Sequence, residues 1–247
     1  MVFGRKKMGA PPPVEPQDGR QWVIDRLAPT DQPGSMEHAQ SRGQALFDDA
    51  YNLMKNDRGV RIEDMLAMLG SVGGHLCLTA VLDGLNKERL TPQDIGMAVV
   101  SGTDGNHYYF GDAPNWLLCE APYSLVSLLF GAANAHGAPV SLEMLHADMA
   151  LVAQRAGSAA FLDLDLPEDH AVISPIDLIS HFAPFVRYSV MGGAAPAVRL
   201  PIVVGFALQQ AIDVGRQSLD PMMMATIAMK CAMRGAKIDP ARVTAAR

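Results

Sequence analysis

Apolar and polar positions follow a helical period over most of this chain. From Ser35 to about Asn56, Ala39, Gly43, Leu46, Phe47, Ala50, Leu53 and Met54 fall along one side. Arg42, Asp48, Asp49 and Lys55 fall on the other, so the stretch reads as an amphipathic helix capped by Ser35. A second segment opens at Arg61, where Ile62, Met65, Leu66 and Leu69 repeat at i, i+3, i+4 and i+7. Gly70 and Gly73-Gly74 interrupt it. His75 to Leu85 is then apolar on nearly every side, which predicts a buried helix with a strand as the rival. Thr91-Pro92-Gln93-Asp94 predicts one more capped turn.

The period changes at 97–111. Asp104-Gly105 between Val99-Val100 and Tyr108-Tyr109-Phe110 predicts an antiparallel β-hairpin, with strands at about 97–101 and 107–111. A two-residue turn there pairs Thr103 with Asn106, Ser101 with Tyr108, Val100 with Tyr109 and Val99 with Phe110. His107, Tyr109 and Val100 then share one face, and Tyr108, Phe110 and Val99 the other. Gly111-Asp112-Ala113-Pro114-Asn115-Trp116 follows. Pro114 is expected to keep Ala113 extended, so the chain must turn sharply here.

Helical spacing resumes from Pro122 to Gly137 and from Ser141 to Gly157, two antiparallel neighbours across a short link. Leu162-Asp163-Leu164-Asp165-Leu166 alternates strictly and predicts a short third strand. Further helices are expected from Ser174, from Pro201 to about Gln217, and from Asp220 to Gly235, with a loop at Met191 to Pro196. The expected fold is a mainly helical α+β single domain, residues 35–247, around a central hairpin. Residues 1–34 read as a flexible Pro-containing tail on which Trp22, Val23, Ile24 and Leu27 form an apolar island that docks on the body. Arg5-Lys6-Lys7 is a weak attractor for acidic lipid or an acidic partner.

Composition narrows the function classes. The 247 residues are 49% hydrophobic and 19% charged, with net charge −6, which disfavours a nucleic-acid role resting on clustered Lys and Arg. Three widely spaced cysteines, Cys77, Cys119 and Cys231, argue against a disulfide framework and for a reducing compartment. The amino-terminal stretch lacks the apolar region of a secretory signal, and no apolar run is read as reaching membrane-span length. The expected setting is the cytoplasm.

The candidate chemistry concentrates in the aromatic stretch. Five of the fifteen aromatics, Tyr108, Tyr109, Phe110, Trp116 and Tyr123, lie between Gly96 and Tyr123. Rigid rings beside a few polar groups are what small-molecule pockets and protein interfaces share, so His107, Tyr109, Asp112, Asn115 and Trp116 form the expected binding surface for a small ligand or a partner segment. The alternative is that these rings plug a small core. Cys119 with His107 or His75 as base is the nucleophile arrangement to weigh, giving a cysteine-dependent hydrolase or transferase. Asp163, Asp165, Glu168, Asp169 and His170 are the densest hard ligands but fit no calcium loop, and no zinc, phosphate-loop or dinucleotide fingerprint is found, so no metal or cofactor is expected. Met222, Met223, Met224, Met229 and Met233 surround the last long helix, which must be buried in the core or in a homodimer contact.

Overall fold

The computed structural model describes residues 16–191 and 196–245. The basic triplet at 5–7, the proline run at 10–13 and most of the glycine-rich loop after Met191 lie outside the described residues. The rest is a mainly helical α+β single domain with one two-stranded antiparallel sheet.

The centre is one helix where the glycines suggested two. Helix α3 runs unbroken from Ile62 to Glu88, and every residue from Met65 to Val81 is buried. Its glycines are contact points and not breaks. A Cβ on Gly70 would lie 2.4 Å from the Ala228 carbonyl oxygen, and one on Gly74 2.0 Å from that of Ala232. Both partners sit on α9, Pro221–Gly235, where Gly235 returns the relation with a Cβ position 2.2 Å from the Ser71 carbonyl. Small residues one turn apart on each helix let the two backbones touch, and a side chain there would force them apart. Helix α9 is therefore core: Met224, Met229 and Met233 are buried by their own chain, and Met222 and Met223 are half-buried. A buried ion pair ties this helix onward, with Arg234 donating to both Asp148 oxygens at 3.1 and 2.9 Å.

Helices α2 (Ser35–Met54), α5 (Leu125–Ala135), α7 (Pro175–Met191) and α8 (Leu200–Gly215) surround α3 and α9, with α6 (Leu142–Arg155) beside α9. By length and hydropathy alone, three helical stretches, 62–88, 112–135 and 197–215, are long and apolar enough to cross a membrane, which the reading of α3 as two pieces did not foresee. In this fold the chain itself buries 94% of the most apolar window of the first.

The expected tail is corrected from residue 19 onward. Asp18 accepts from the Arg20 and Gln21 amides at 2.8 and 3.2 Å and caps helix α1, Gly19–Leu27. Trp22 and Val23 are fully buried, so the apolar island docks as a helix. Gly84 makes room for the Trp22 ring, whose Nε1 donates to Glu88 at 3.3 Å while the Arg26 guanidinium stacks 3.6 Å from the ring centroid.

The hairpin forms with its register shifted by one residue. Strands β1 (Ala98–Ser101) and β2 (His107–Phe110) pair Val99 with Tyr109, Val100 with Tyr108 and Ser101 with His107. Gly102 and Asn106 close a three-residue connection in which Gly105 takes φ +78°, the left-handed glycine that follows the turn in hairpins of this length. The Asp104 carboxylate decides the choice by accepting from the Asn106 amide at 3.1 Å and the Tyr108 hydroxyl at 2.6 Å. Valines 99 and 100 thereby exchange faces relative to expectation. Residues 162–166 form no strand: Leu162 ends a 3-10 turn and Asp165 takes a left-handed φ of +48°, while Leu164 is buried and Asp163 and Asp165 are exposed, with no strand beside them among the described residues. The third segment against the hairpin is 237–238, where Ile238 bridges Tyr108 and the Lys237 carbonyl accepts from the Tyr109 amide at 3.3 Å.

Candidate functional site

After β2 the chain turns into helix and not into extended chain. Asp112–Asn115 is a single α-turn, α4, and Trp116–Glu120 widens it into a π-turn closed by the Ala121 amide on the Trp116 carbonyl at 3.0 Å. Pro114 sits in the first turn of α4, where a missing N–H costs nothing, so the expected extended Ala113 is overturned and that residue is helical and fully buried. π-turns are uncommon and recur at functional sites. This one carries both Trp116 and Cys119.

The π-turn forms one wall of an apolar cleft of about 370 Å³. Trp116 and Leu117 face Ile24 and Leu27 of α1, Met36 of α2 and Ile202 of α8, with Tyr123 at the rim, 54% exposed. One cation lies in this apolar wall. Arg199, 7% exposed, ends the short turn Ala197–Arg199 before α8. It donates from Nε to the Thr30 hydroxyl at 2.9 Å, from Nη2 to Asp31 at 3.1 Å and from Nη1 to the Met36 sulfur at 3.5 Å. A guanidinium has five N–H donors, so among the described residues this set leaves two unspent on a side chain that lines the cleft. Asp31 also lines the cleft, but its side chain is 71% exposed, and an ion pair of that kind is weak.

Of the expected binding residues, only Trp116 lines this cleft. Asn115 turns away, its Oδ1 accepting from the Lys237 ammonium at 2.8 Å. Tyr109 is half-buried on the hairpin, where burial and then Asp239 raise its hydroxyl above the ordinary range. His107 is exposed, its Nδ1 3.2 Å from the Ser101 hydroxyl, and Asp112 is exposed at the start of α4. The structure thus splits the expected surface. Reasoning from sequence missed Arg199, although a lone arginine heading the apolar run of α8 was a visible signal.

The cysteine arrangement is not assembled among the described residues. The Cys119 thiol donates to the Asn115 carbonyl at 3.5 Å, and burial, with Glu120 adding, pushes it up to about 11. His75 is buried and lowered to about 4, first by burial and then by Arg187, with its Nδ1 unpartnered among the described residues. Cys77 bonds the Gly73 carbonyl at 3.3 Å and burial raises it further than Cys119. A thiol held protonated without a histidine partner is a poor nucleophile. In the acidic stretch, Asp165 pairs with Arg155 at 2.6 Å, and His170 lies 3.2 Å from Glu63. Among the described residues, no group of three or more His, Cys, Asp or Glu side chains could hold a metal ion.

Comparison with known protein families, with curated proteins and with solved structures finds no match to this chain.

Proposed function

We propose that this protein binds a small molecule with an apolar body and one carboxylate in the cleft beside Trp116. The observation that carries the reading is a buried arginine with unspent donors set into an otherwise apolar wall. An apolar concavity of this size with a few convergent polar groups is the usual form of a small-molecule site. Trp116 supplies a rigid aromatic face for the apolar body, and Arg199 supplies the charge that fixes the acid. Net charge −6 supports a small ligand over nucleic acid. A binding role is favoured over a cysteine-dependent reaction because burial holds Cys119 as a thiol, and neither His107 nor His75 bonds it among the described residues. The subunit-joint reading has less to support it, since Met224, Met229 and Met233 are buried within the chain. The cytoplasm remains the proposed setting, on the strength of three free cysteines.

Calorimetric titration with octanoate, octanol and octylamine tests this. Octanoate is expected to bind saturably and more tightly than octanol, with octylamine weakest. Arg199→Gln should remove the preference for the acid, a loss of tenfold or more for a charge-assisted hydrogen bond of about 1.5–3 kcal/mol. Trp116→Ala should weaken octanoate and octanol alike. Equal affinity for all three ligands, or octanoate binding that Trp116→Ala leaves unchanged, would overturn the proposal.

A further inference from the structure

We propose that Asp31 sets how strongly the cleft prefers acids: it holds the place on Arg199 that the ligand's carboxylate takes, and binding exchanges one carboxylate for the other. This role for Asp31 presupposes the Trp116 cleft as a small-molecule site. The inner edge of Arg199 is fixed. Its Nε donates at 2.9 Å to the Thr30 hydroxyl, which in turn donates at 2.7 Å to the Leu27 carbonyl. The two outer nitrogens, the fork that pairs with a carboxylate, have looser partners. Nη1 has the Met36 sulfur at 3.5 Å, and a thioether is a weak acceptor. Nη2 donates to Asp31 Oδ1 at 3.1 Å.

Asp31 is built to be exchanged. It lines the cleft beside Arg199, so an acid entering the cleft meets both at once. The two partners are unequally placed: the Arg199 side chain is 8% exposed and the Asp31 side chain 71%. Water competes for the Asp31 carboxylate, and an ion pair with one partner in solvent is weak. A ligand carboxylate held among apolar walls is screened less, so the same guanidinium attracts it more strongly. Asp31 also has somewhere to go. Its Oδ1 accepts from the Ser35 hydroxyl at 3.4 Å, and Ser35 is the first residue of α2. That helix is preceded by Gly34 in the left-handed conformation, and no side chain caps its start. Released from Arg199, the Asp31 carboxylate keeps the Ser35 hydroxyl and the positive end of the α2 dipole. A neutral ligand has no claim on Arg199 and leaves Asp31 where it is. The pair therefore weakens acids alone.

Calorimetric titration of Asp31→Asn with octanoate and with octanol tests the exchange. Octanoate should bind about two- to fivefold more tightly than to wild type, the range that exposed ion pairs span, while octanol affinity stays unchanged. The unchanged octanol affinity also shows that the cleft is intact. Asp31→Glu keeps the charge and should hold octanoate near the wild-type affinity. Added to Arg199→Gln, Asp31→Asn should leave octanoate where Arg199→Gln alone leaves it, because the two residues act through one contact. Octanoate binding that Asp31→Asn leaves unchanged or weakens, or that it strengthens together with octanol, would overturn the exchange and leave the cleft's binding role standing. The same tightening without Arg199, or from Asp31→Glu, would overturn it too. Absence of octanoate binding in wild type and Asp31→Asn alike would remove the exchange together with the site it presupposes.

Discussion

Lys237 sits in surroundings that disfavour its charged form. It is 4% exposed, its ammonium has Asn115 Oδ1 as acceptor, and the Phe110 ring lies 5.3 Å away. Burial lowers its pKa from the usual lysine range to about 8, against smaller opposing effects from Cys119, Cys77 and Glu120. An unfolded chain keeps that proton to about 10.4. Between about 8 and that value the unfolded state holds more protons, so raising the pH favours the folded state. Below about 8 the folded protein carries the full cost of a buried charge, on the order of 3 kcal/mol. Lys237→Met should therefore be more stable than wild type at pH 7, and the difference should shrink as pH rises through the window. Urea unfolding at pH 7, 8.5 and 10 checks this. A difference that grows with pH would show that the amine is not desolvated in the folded protein.

Elements are where the sequence was most legible, and where its failures have identifiable causes. Helices α2 and α6 announced themselves by one apolar stripe over a polar face, a pattern that burial on one side produces directly. Helix α3 defeated that reading because it is buried on all sides and so has no stripe to follow. Its glycines looked like punctuation because their partners, Ala228 and Ala232, lie more than 150 residues away. The hairpin was visible in Asp104-Gly105, but its register hung on whether Asp104 occupies a two-residue or three-residue connection, and a hydrogen bond to Tyr108 settles it. The alternating leucines at 162–166 reported inward and outward positions correctly, yet alternation does not say that a neighbouring strand exists. These glycines make a paired prediction. Gly74→Val drives a side chain into the α9 backbone and should cost about 3 kcal/mol or more, or prevent folding. Gly131 lies on the exposed side of α5 with nothing within 4 Å of a Cβ, so Gly131→Ala should gain about 0.5–1 kcal/mol. Thermal melts of both variants decide; equal effects would mean that α3 and α9 do not meet backbone to backbone.

At the scale of the whole molecule, the cleft beside Trp116 is closed by the segment that leads into α8, through Arg199 and Ile202. The site could not be assembled by reading along the chain. The apolar cleft joins residues 24–36, 116–124 and 199–202, and only the middle group, from Trp116 to Tyr123, fell within the aromatic stretch that drew attention first. Its arginine comes from a turn with no motif, and its opposite wall comes from residues that read as a tail. Tyr108 is enclosed against Phe161, whereas Trp116 and Tyr123 are left at a cleft. The protein has two tryptophans, and they occupy opposite situations: Trp22 is fully buried with its indole N–H on Glu88, and Trp116 lines the cleft. Their two indole N–H resonances in a proton–nitrogen correlation spectrum, followed during an octanoate titration, therefore test the binding claim directly. The account predicts that the Trp116 resonance moves and saturates while that of Trp22 stays in place. A stationary Trp116 resonance at saturating octanoate, or equal movement of both, would contradict it.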